Sequence, residues 1–303
     1  MRAAGRLLLN REAAKKALSF QSIASVDHAW LKFAEHAYGL GIRRLERITF
    51  DLVKSYGEGL ADDVLDDIYA AAYAQRLVSA VNTVMHLANR SWRTVNPVAD
   101  CGIARRVAVR KFAPSGMDDA NVLAAVEDMQ SRGQSAAAAV TLLAKTLGLR
   151  LKESSLLDAN KALKQAEMRG SIEVTDGTKG GRSRTVPVTR ANQFAALQAA
   201  ATIQGQGRSV IPPDLDWKAF REGPLKAART TLKAHRIHRY HDLRAAYACR
   251  RYEELTGQPA PVISGLIVDR QIDHDARAII SRELGHNRIS VVAAYVGGLR
   301  CTR

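Results

Sequence analysis

A chain of 303 residues with 47% hydrophobic side chains is long enough for two ordinary domains and apolar enough to give each a core, which excludes wholesale disorder. Its formal net charge of +15 favours polyanionic partners through steering and counterion release. No apolar run approaches the roughly 18 residues that cross a bilayer, and Cys101, Cys249 and Cys301 fit neither a zinc site nor a disulfide framework, so a reducing cytosol is the expected compartment.

Residues 1–20 are basic and helix-compatible, with Arg11, Lys15 and Lys16 on one stretch, and read as an N-terminal arm or a frayed terminus. The run Met1 to Leu9 holds only a three-leucine segment, too short for a signal-peptide core. Residues 21–95 read as helical throughout. Ser25 can cap a helix with the stripe Val26, Trp30, Phe33 and Ala37, stopped by Gly39 and Gly41. Thr49 can cap the next, with Gly57 as its stop, and a longer helix runs from about Asp62 to Ala88. The aromatic residues at helical spacing are read as core, which gives a small helical domain with a basic rim.

Residues 96–116 carry Pro97, Gly102, Pro114 and Gly116 and read as a linker. Its Arg105, Arg106, Arg110 and Lys111 can lie along a phosphate backbone or form a solvated charge run. From Asp118 the helical period returns, with a buried helix over 134–147 that stops at Gly148. Over 171–188 the period becomes two, predicting a β-hairpin with a glycine-rich tip at Asp176 to Gly181. Helices follow at about 190–203, 217–234, 241–256, 274–283 and 288–296, with 257–272 left open. The expected fold is mainly α with one small β-hairpin: a helical domain over 21–95 and an α+β domain over 117–303. Charge is concentrated in the second part. Residues 1–109 carry 15 Lys/Arg against 11 Asp/Glu, and residues 110–303 carry 30 against 19.

The chemistry-bearing residues crowd the C-terminal half. His241-Asp242-Leu243-Arg244 is followed by Leu284-Gly285-His286, and Tyr295 lies nine residues after that histidine. Arginine is charged at any physiological pH and grips phosphate with a planar fork, so Arg150, Arg244 and His286 can bind a scissile phosphate. Each also has a plainer role: Arg150 as a charge at a helix C-terminus, Arg244 as a surface ion-pair residue, His286 as the start of a helix. Tyr295 is either core or a nucleophile whose phenol is activated by neighbouring guanidinium groups. Lys179 at the hairpin tip is either a solvated turn residue or an acid for a leaving oxygen. His241 shares a helix face with Arg244 and can share in proton transfer. The triplet His235, His238 and His241 lies among Lys233, Arg236, Arg239 and Arg244, which would repel a cation, so no metal is expected. The turn Lys179-Gly180-Gly181 is not a nucleotide-binding loop.

These residues resemble those of the tyrosine recombinases, or phage integrases. Gly148-Leu149-Arg150-Leu151-Lys152-Glu153 looks like the family's first arginine box. Thr178 to Pro187 looks like its lysine-bearing hairpin, and His241 to Arg244 with Leu284 to His286 and Tyr295 looks like its second box. The resemblance covers about residues 20–300 and implies a core-binding domain followed by a catalytic domain, the two clamping DNA. It implies that Tyr295 attacks a phosphodiester to give a 3′-phosphotyrosyl intermediate and a free 5′-hydroxyl. Arg150, Arg244, His286 and His241 would stabilise the transition state, and Lys179 would be the general acid. No metal, nucleotide or other cofactor is implied, because the covalent link conserves the bond for religation. The implied partners are double-stranded DNA and three further copies of the chain in a synaptic tetramer, with no membrane, in a bacterial cytoplasm and at the nucleoid. Arg105, Arg106, Arg110, Lys111, Arg182, Arg184, Arg236 and Arg239 are the candidate DNA contacts.

The pattern departs from the family in two places. Arg244 and His286 are 42 residues apart, a long gap that an insertion over Gly257 to Arg270 accounts for. Val296 to Arg303 is short for the helix that many relatives dock on a neighbouring protomer, and residues 1–20 are few for an arm-binding domain. The leading expectation is a site-specific recombinase serving integration or excision of a mobile element or prophage. The alternatives are a type IB topoisomerase-like relaxing enzyme and a DNA-binding accessory without chemistry.

Overall fold

The computed structural model describes residues 1–15, 20–267, 269–286 and 288–298. Lys16 of the basic stretch, Val268 of the insertion, and Cys301 within the final segment 299–303 lie outside the described residues. The chain forms two compact units, Met1–Val107 and Ala108–Arg303, so the boundary falls within 96–116.

Among the described residues the first unit has four α-helices, α1 (Arg2–Ala14), α2 (Phe20–Gly39), α3 (Phe50–Leu65) and α4 (Ala71–Ala88), with a 3-10 turn at Leu45–Arg47. Its mainly aliphatic core holds an aromatic cluster. Trp30 and Phe33 are fully buried, and Phe33 meets Tyr56 edge-on at 5.2 Å. Thr49 caps α3 by accepting the Leu52 N–H. Three boundaries differ from expectation. The basic N-terminus is a packed helix, with Leu9 buried and Gly5 pressed on the Trp30 ring so closely that a Cβ would lie 2.1 Å from Nε1. Gly57 does not stop α3; it lies inside the helix because Cys101 and Val78 press against it. The long helix from Asp62 is broken at Asp66 to Ala70, where Asp67 takes a left-handed conformation and the Ile68 and Tyr69 N–H groups turn back onto Asp63 O.

The second unit holds α5 (Asp119–Ser131), α6 (Ser135–Leu147), α7 (Leu151–Leu156), α8 (Ala159–Arg169), β1 (Ser171–Val174), β2 (Arg184–Pro187), α9 (Ala191–Gln204), α10 (Trp217–Glu222) and α11 (Pro224–Ala234). It continues through α12 (Tyr240–Thr256), α13 (Pro261–Ser264), α14 (Arg270–Glu283) and α15 (Ala293–Val296). The two strands pair antiparallel with Ile172 opposite Val186. Gly223 and Pro224 split the expected helix over 217–234, because proline is favoured at a helix start and not in its interior. The open stretch 257–272 becomes the short helix α13 and the first turn of α14, which Asp269 caps through the Gln271 and Ile272 N–H groups.

Helix α12 is the axis of this unit. From Asp242 to Cys249 every residue is buried, so the helix is packed on all sides rather than along one stripe, with Asp242 and Arg244 buried among apolar neighbours. It lies against α6, α14 and α15. The turn Ser115–Met117 docks on its start, with Gly116 so close that a Cβ would stand 2.7 Å from Asp242 O. Among the described residues no helix is long and apolar enough to cross a membrane.

Candidate active site

Tyr295 sits on α15 and is 4% exposed. Its hydroxyl lies 3.1 Å from His286 Nε2 and accepts from Arg244 Nε at 3.4 Å. The His241 ring stands 5.1 Å away, centroid to centroid. These groups come from three elements: α12, the turn after α14, and α15.

Each is held by local backbone chemistry. Helix α14 ends in a left-handed Gly285 whose N–H bonds Arg282 O, while the His286 N–H reaches back to Ser281 O at 2.7 Å. That paired closure is the Schellman end of a helix, so His286 follows a helix stop rather than starting a helix. The Ser281 hydroxyl also donates to His286 O, which fixes the turn a second time. Helix α6 ends in a left-handed Gly148, whose buried carbonyl accepts from Arg244 Nη1. A Cβ at 148 would meet the Tyr247 ring at 2.4 Å, so the position excludes side chains twice, by backbone conformation and by space.

The two arginines share one acceptor. Leu284 O takes Arg244 Nη2 at 2.5 Å and Arg150 Nη2 at 3.2 Å. Arg244 is 1% exposed, which removes the surface ion-pair alternative. Arg150 sits just before α7, not on the carbonyl end of α6, which removes its helix-end alternative. Beneath them lies a carboxylate that the sequence reading left without a role. Glu153 is fully buried and accepts from the Arg150 backbone N–H at 2.6 Å, from Arg150 Nη1 at 2.7 Å, and from both terminal nitrogens of Arg184 at 2.8 and 2.6 Å. Burial alone would raise this carboxyl; the bonds from Arg184 and Arg150 more than offset it and hold it at about 2. A glutamate three residues into a helix, reaching back to the residue before it, is a recognisable capping pattern and was the available signal.

Arg184, expected on the surface as a candidate DNA contact, is instead turned inward. It is buried, forked onto Glu153, and its Nε donates to Glu283 O at 2.7 Å. Arg110 is likewise tied down, with Nη2 at 2.6 Å from Asp242 Oδ1. Of the other basic candidates, Arg105, Arg106, Lys111, Arg182, Arg236 and Arg239 are all exposed. Lys179 is exposed at the hairpin tip. The hairpin is seated by Gly177, whose missing Cβ would stand 2.9 Å from the Lys152 carbonyl, directly beside Glu153.

The electrostatics suit a proton acceptor next to a phenol. His286 is pulled down to about 4, first by burial and then by the charges of Arg244, Arg150, Arg184 and Lys179, so its imidazole is neutral at physiological pH. His241 is lowered too, by desolvation and then by Arg244 and Arg110. Arg244 falls to about 10 through burial and keeps its charge. Beside these groups opens a cleft of ≈ 450 Å³ lined by Arg150, Arg229, Lys233, His238, Arg239, His241 and Arg244, with Leu149, Leu151 and Tyr240 among its apolar walls. Such a concentration of cations is suited to an anion. Of the three histidines at 235, 238 and 241, His235 pairs with Asp128 at 3.2 Å while the other two line the cleft, and among the described residues no group of three or more His, Cys, Asp or Glu is placed to hold a metal ion.

Residues 104–250 match the Integrase family. The fold is that of structures of the same class. A lambda integrase dimer bound to a COC′ core site superposes with a TM-score of 0.59 at 18% identity, covering 98% of this chain and 96% of that one. The Tn1549 transposon integrase in complex with transposon right-end DNA gives 0.56 at 10% identity, over 96% and 94%. The XerH site-specific recombinase on a palindromic difH substrate gives 0.56 at 12%, over 92% and 76%. The chain is similar to the Integrase family over residues 104–250 and shares the fold of the tyrosine recombinases over nearly its whole length. No curated protein sequence matches it. The matched region takes in Arg150, Lys179, His241 and Arg244, while His286 and Tyr295 lie beyond it and are brought against Arg244 by the end of α14 and by α15.

Proposed function

We propose that the chain is a site-specific DNA recombinase that cuts and rejoins strands through Tyr295, acting on DNA of a bacterial mobile element or prophage in the cytoplasm. One observation carries the residue assignment: the Tyr295 hydroxyl lies between Arg244 Nε and a neutral His286 Nε2. A phenol that accepts from a guanidinium and donates to an imidazole is set to lose its proton as it attacks. This arrangement requires the His286 proton to sit on Nδ1.

In the proposed step the Tyr295 oxygen bonds to phosphorus and its proton passes to His286 Nε2. The bond from phosphorus to the 5′-oxygen breaks, and Lys179 protonates that oxygen, leaving a 3′-phosphotyrosyl link and a 5′-hydroxyl. Arg150 and Arg244 face the non-bridging oxygens. Their guanidiniums are fixed in advance by Leu284 O, Gly148 O and Glu153, so little reorganisation is needed when charge develops. Religation reverses the step with a different 5′-hydroxyl. A lambda integrase tetramer bound to a Holliday junction shares the fold at a TM-score of 0.57, which supports four copies of this chain acting on two duplexes.

The test is a duplex nicked close to the cleavage point, so that the released end diffuses away and the covalent complex accumulates. The wild-type chain in EDTA is expected to be trapped on the DNA, and Tyr295→Phe to bind with unchanged affinity and give no covalent product. Trapping by Tyr295→Phe, or a need for Mg²⁺, would overturn the assignment.

A further inference from the structure

Arg110 was a candidate phosphate contact by its place in a basic run, yet its side chain is 16% exposed and turned inward. Its Nη2 donates to Asp242 Oδ1 at 2.6 Å and its Nη1 to Phe112 O at 3.3 Å. The other oxygen of Asp242 accepts from Ser115 Oγ at 2.9 Å, and that hydroxyl accepts the His238 N–H at 3.1 Å. Asp242 is 4% exposed and lies between His241 and Arg244 on α12. The same residue also reaches the nucleophile's helix. The Arg110 backbone N–H donates to Ala293 O at 2.9 Å, two residues before Tyr295. Next to it, Val109 lies where a Cβ at Gly298 would find its Cγ1 at 3.2 Å.

The second contact matters because α15 has four residues. A single helical turn is not stable by itself, since nucleation fixes several residues for one hydrogen bond. Its position is set from outside, by Arg110 N–H on Ala293 O, by Arg277 Nη1 on Gly297 O at 2.9 Å, and by Cys249 Sγ on Tyr295 O at 3.6 Å. Cys249 joins α15 to the middle of α12, whereas Arg110 grips the start of α12, where His241 and Arg244 are carried.

We propose that Arg110 is a positioning residue for the nucleophile: it ties the Tyr295 helix to the His241–Arg244 helix and does not contact DNA phosphate. The inference rests on Tyr295 being the nucleophile. A phosphate contact and a positioning residue give opposite signatures. Loss of a phosphate contact weakens binding and lowers the salt slope of the affinity by about 1, with the cleavage rate of bound DNA intact. Loss of a positioning residue leaves affinity and slope in place and slows attack, because a displacement near 1 Å can cost on the order of 100-fold.

The experiment measures affinity at several salt concentrations and single-turnover covalent capture on the nicked duplex, for wild type, Arg110→Ala, Arg110→Lys, Asp242→Asn and the Arg110→Ala/Asp242→Asn pair. The expected result for Arg110→Ala is unchanged affinity and slope, unchanged final yield of covalent complex, and a rate constant reduced roughly 10- to 100-fold. Arg110→Lys, which keeps a charge at Asp242, should recover part of that rate, and the double variant should be no slower than the slower single variant. A lowered salt slope at an unchanged rate constant would overturn the proposal in favour of a phosphate contact. A lowered yield at an unchanged rate constant would overturn it in favour of a purely structural role. Tyr295→Phe, run alongside, separates the two levels: covalent capture by that variant removes the nucleophile assignment itself, whereas its inactivity together with a full-speed Arg110→Ala removes only the role given to Arg110.

Discussion

Glu153 shows how a single buried charge organises the site. It has no group to give to substrate, yet it orients Arg150 and satisfies Arg184 inside the unit. Glu153→Gln removes the charge that compensates a buried guanidinium, and breaking one side of such a pair typically costs about 3–5 kcal/mol. A urea unfolding midpoint well below wild type checks this, and an unchanged midpoint refutes it. The pH dependence follows in sign. The Glu153 carboxyl is held at about 2 when folded against an ordinary 4.5, so its stabilisation is present above about 4.5 and drains as pH falls toward 2. By linkage that is on the order of 3 kcal/mol. His286 acts in the same direction in a higher window: its folded value of about 4 lies below 6.5, so stability is lost as pH falls from 6.5 toward 4, while the unfolded chain takes up the proton first. Glu153→Gln should flatten the lower window and leave the upper one.

At the scale of elements, the two turns that end in left-handed glycine were legible in the sequence, because Gly148 and Gly285 each follow a helical pattern and precede a candidate site residue. The hairpin was legible too, but its facing was not used. Val186 points inward, and strand periodicity of two puts Arg184 on the same side, so the sequence already disfavoured Arg184 as a surface contact. What could not be read was which distant carbonyl an arginine would find, since Leu284 O lies 134 residues from Arg150 and the pairing depends on how α14 packs on α12. The hairpin also carries a prediction. Lys179 is exposed at its tip, and the tip is seated by Gly177 against the Lys152 backbone. If Lys179 supplies the leaving-group proton, Lys179→Ala should slow cleavage of ordinary DNA by roughly 10²–10⁴-fold, the usual range for general acid catalysis. Gly177→Ala, strained at φ +70° and crowded by backbone, should slow it in the same way by lifting the tip. A substrate with sulfur in place of the 5′-bridging oxygen leaves as a thiolate, which needs no proton. On it both variants should approach the wild-type rate. Equal defects on oxygen and sulfur substrates would show that the lysine binds or positions rather than donates.

For the whole molecule the question is where the net charge of +15 becomes available to a polyanion. Four acidic residues of the second unit are engaged with its arginines: Glu153 with Arg184 and Arg150, Asp242 with Arg110, Asp273 with Arg277, Glu283 with Arg251. These pairs remove cations from the surface as well, so charge counted along the sequence overstates some positions and not others. Lys233 and Arg239 remain exposed in the wall of the cleft, and Arg236, between them in the sequence, is exposed as well. Binding should therefore depend steeply on salt. Six to ten phosphate contacts correspond to a loss of about 10³–10⁵ in affinity between 50 and 200 mM salt. Fluorescence anisotropy on a duplex across that range gives the slope of log Kd against log salt. Arg236→Ala and Arg239→Ala should each lower the slope by about 1 and weaken binding on every sequence. Arg184→Ala should instead lower the unfolding midpoint, and the folded fraction should keep the wild-type slope, because its guanidinium never faces the phosphates. A slope near zero for the wild-type chain would mean that its excess charge is not what holds DNA, and the cleft would have to bind by shape or base contact instead.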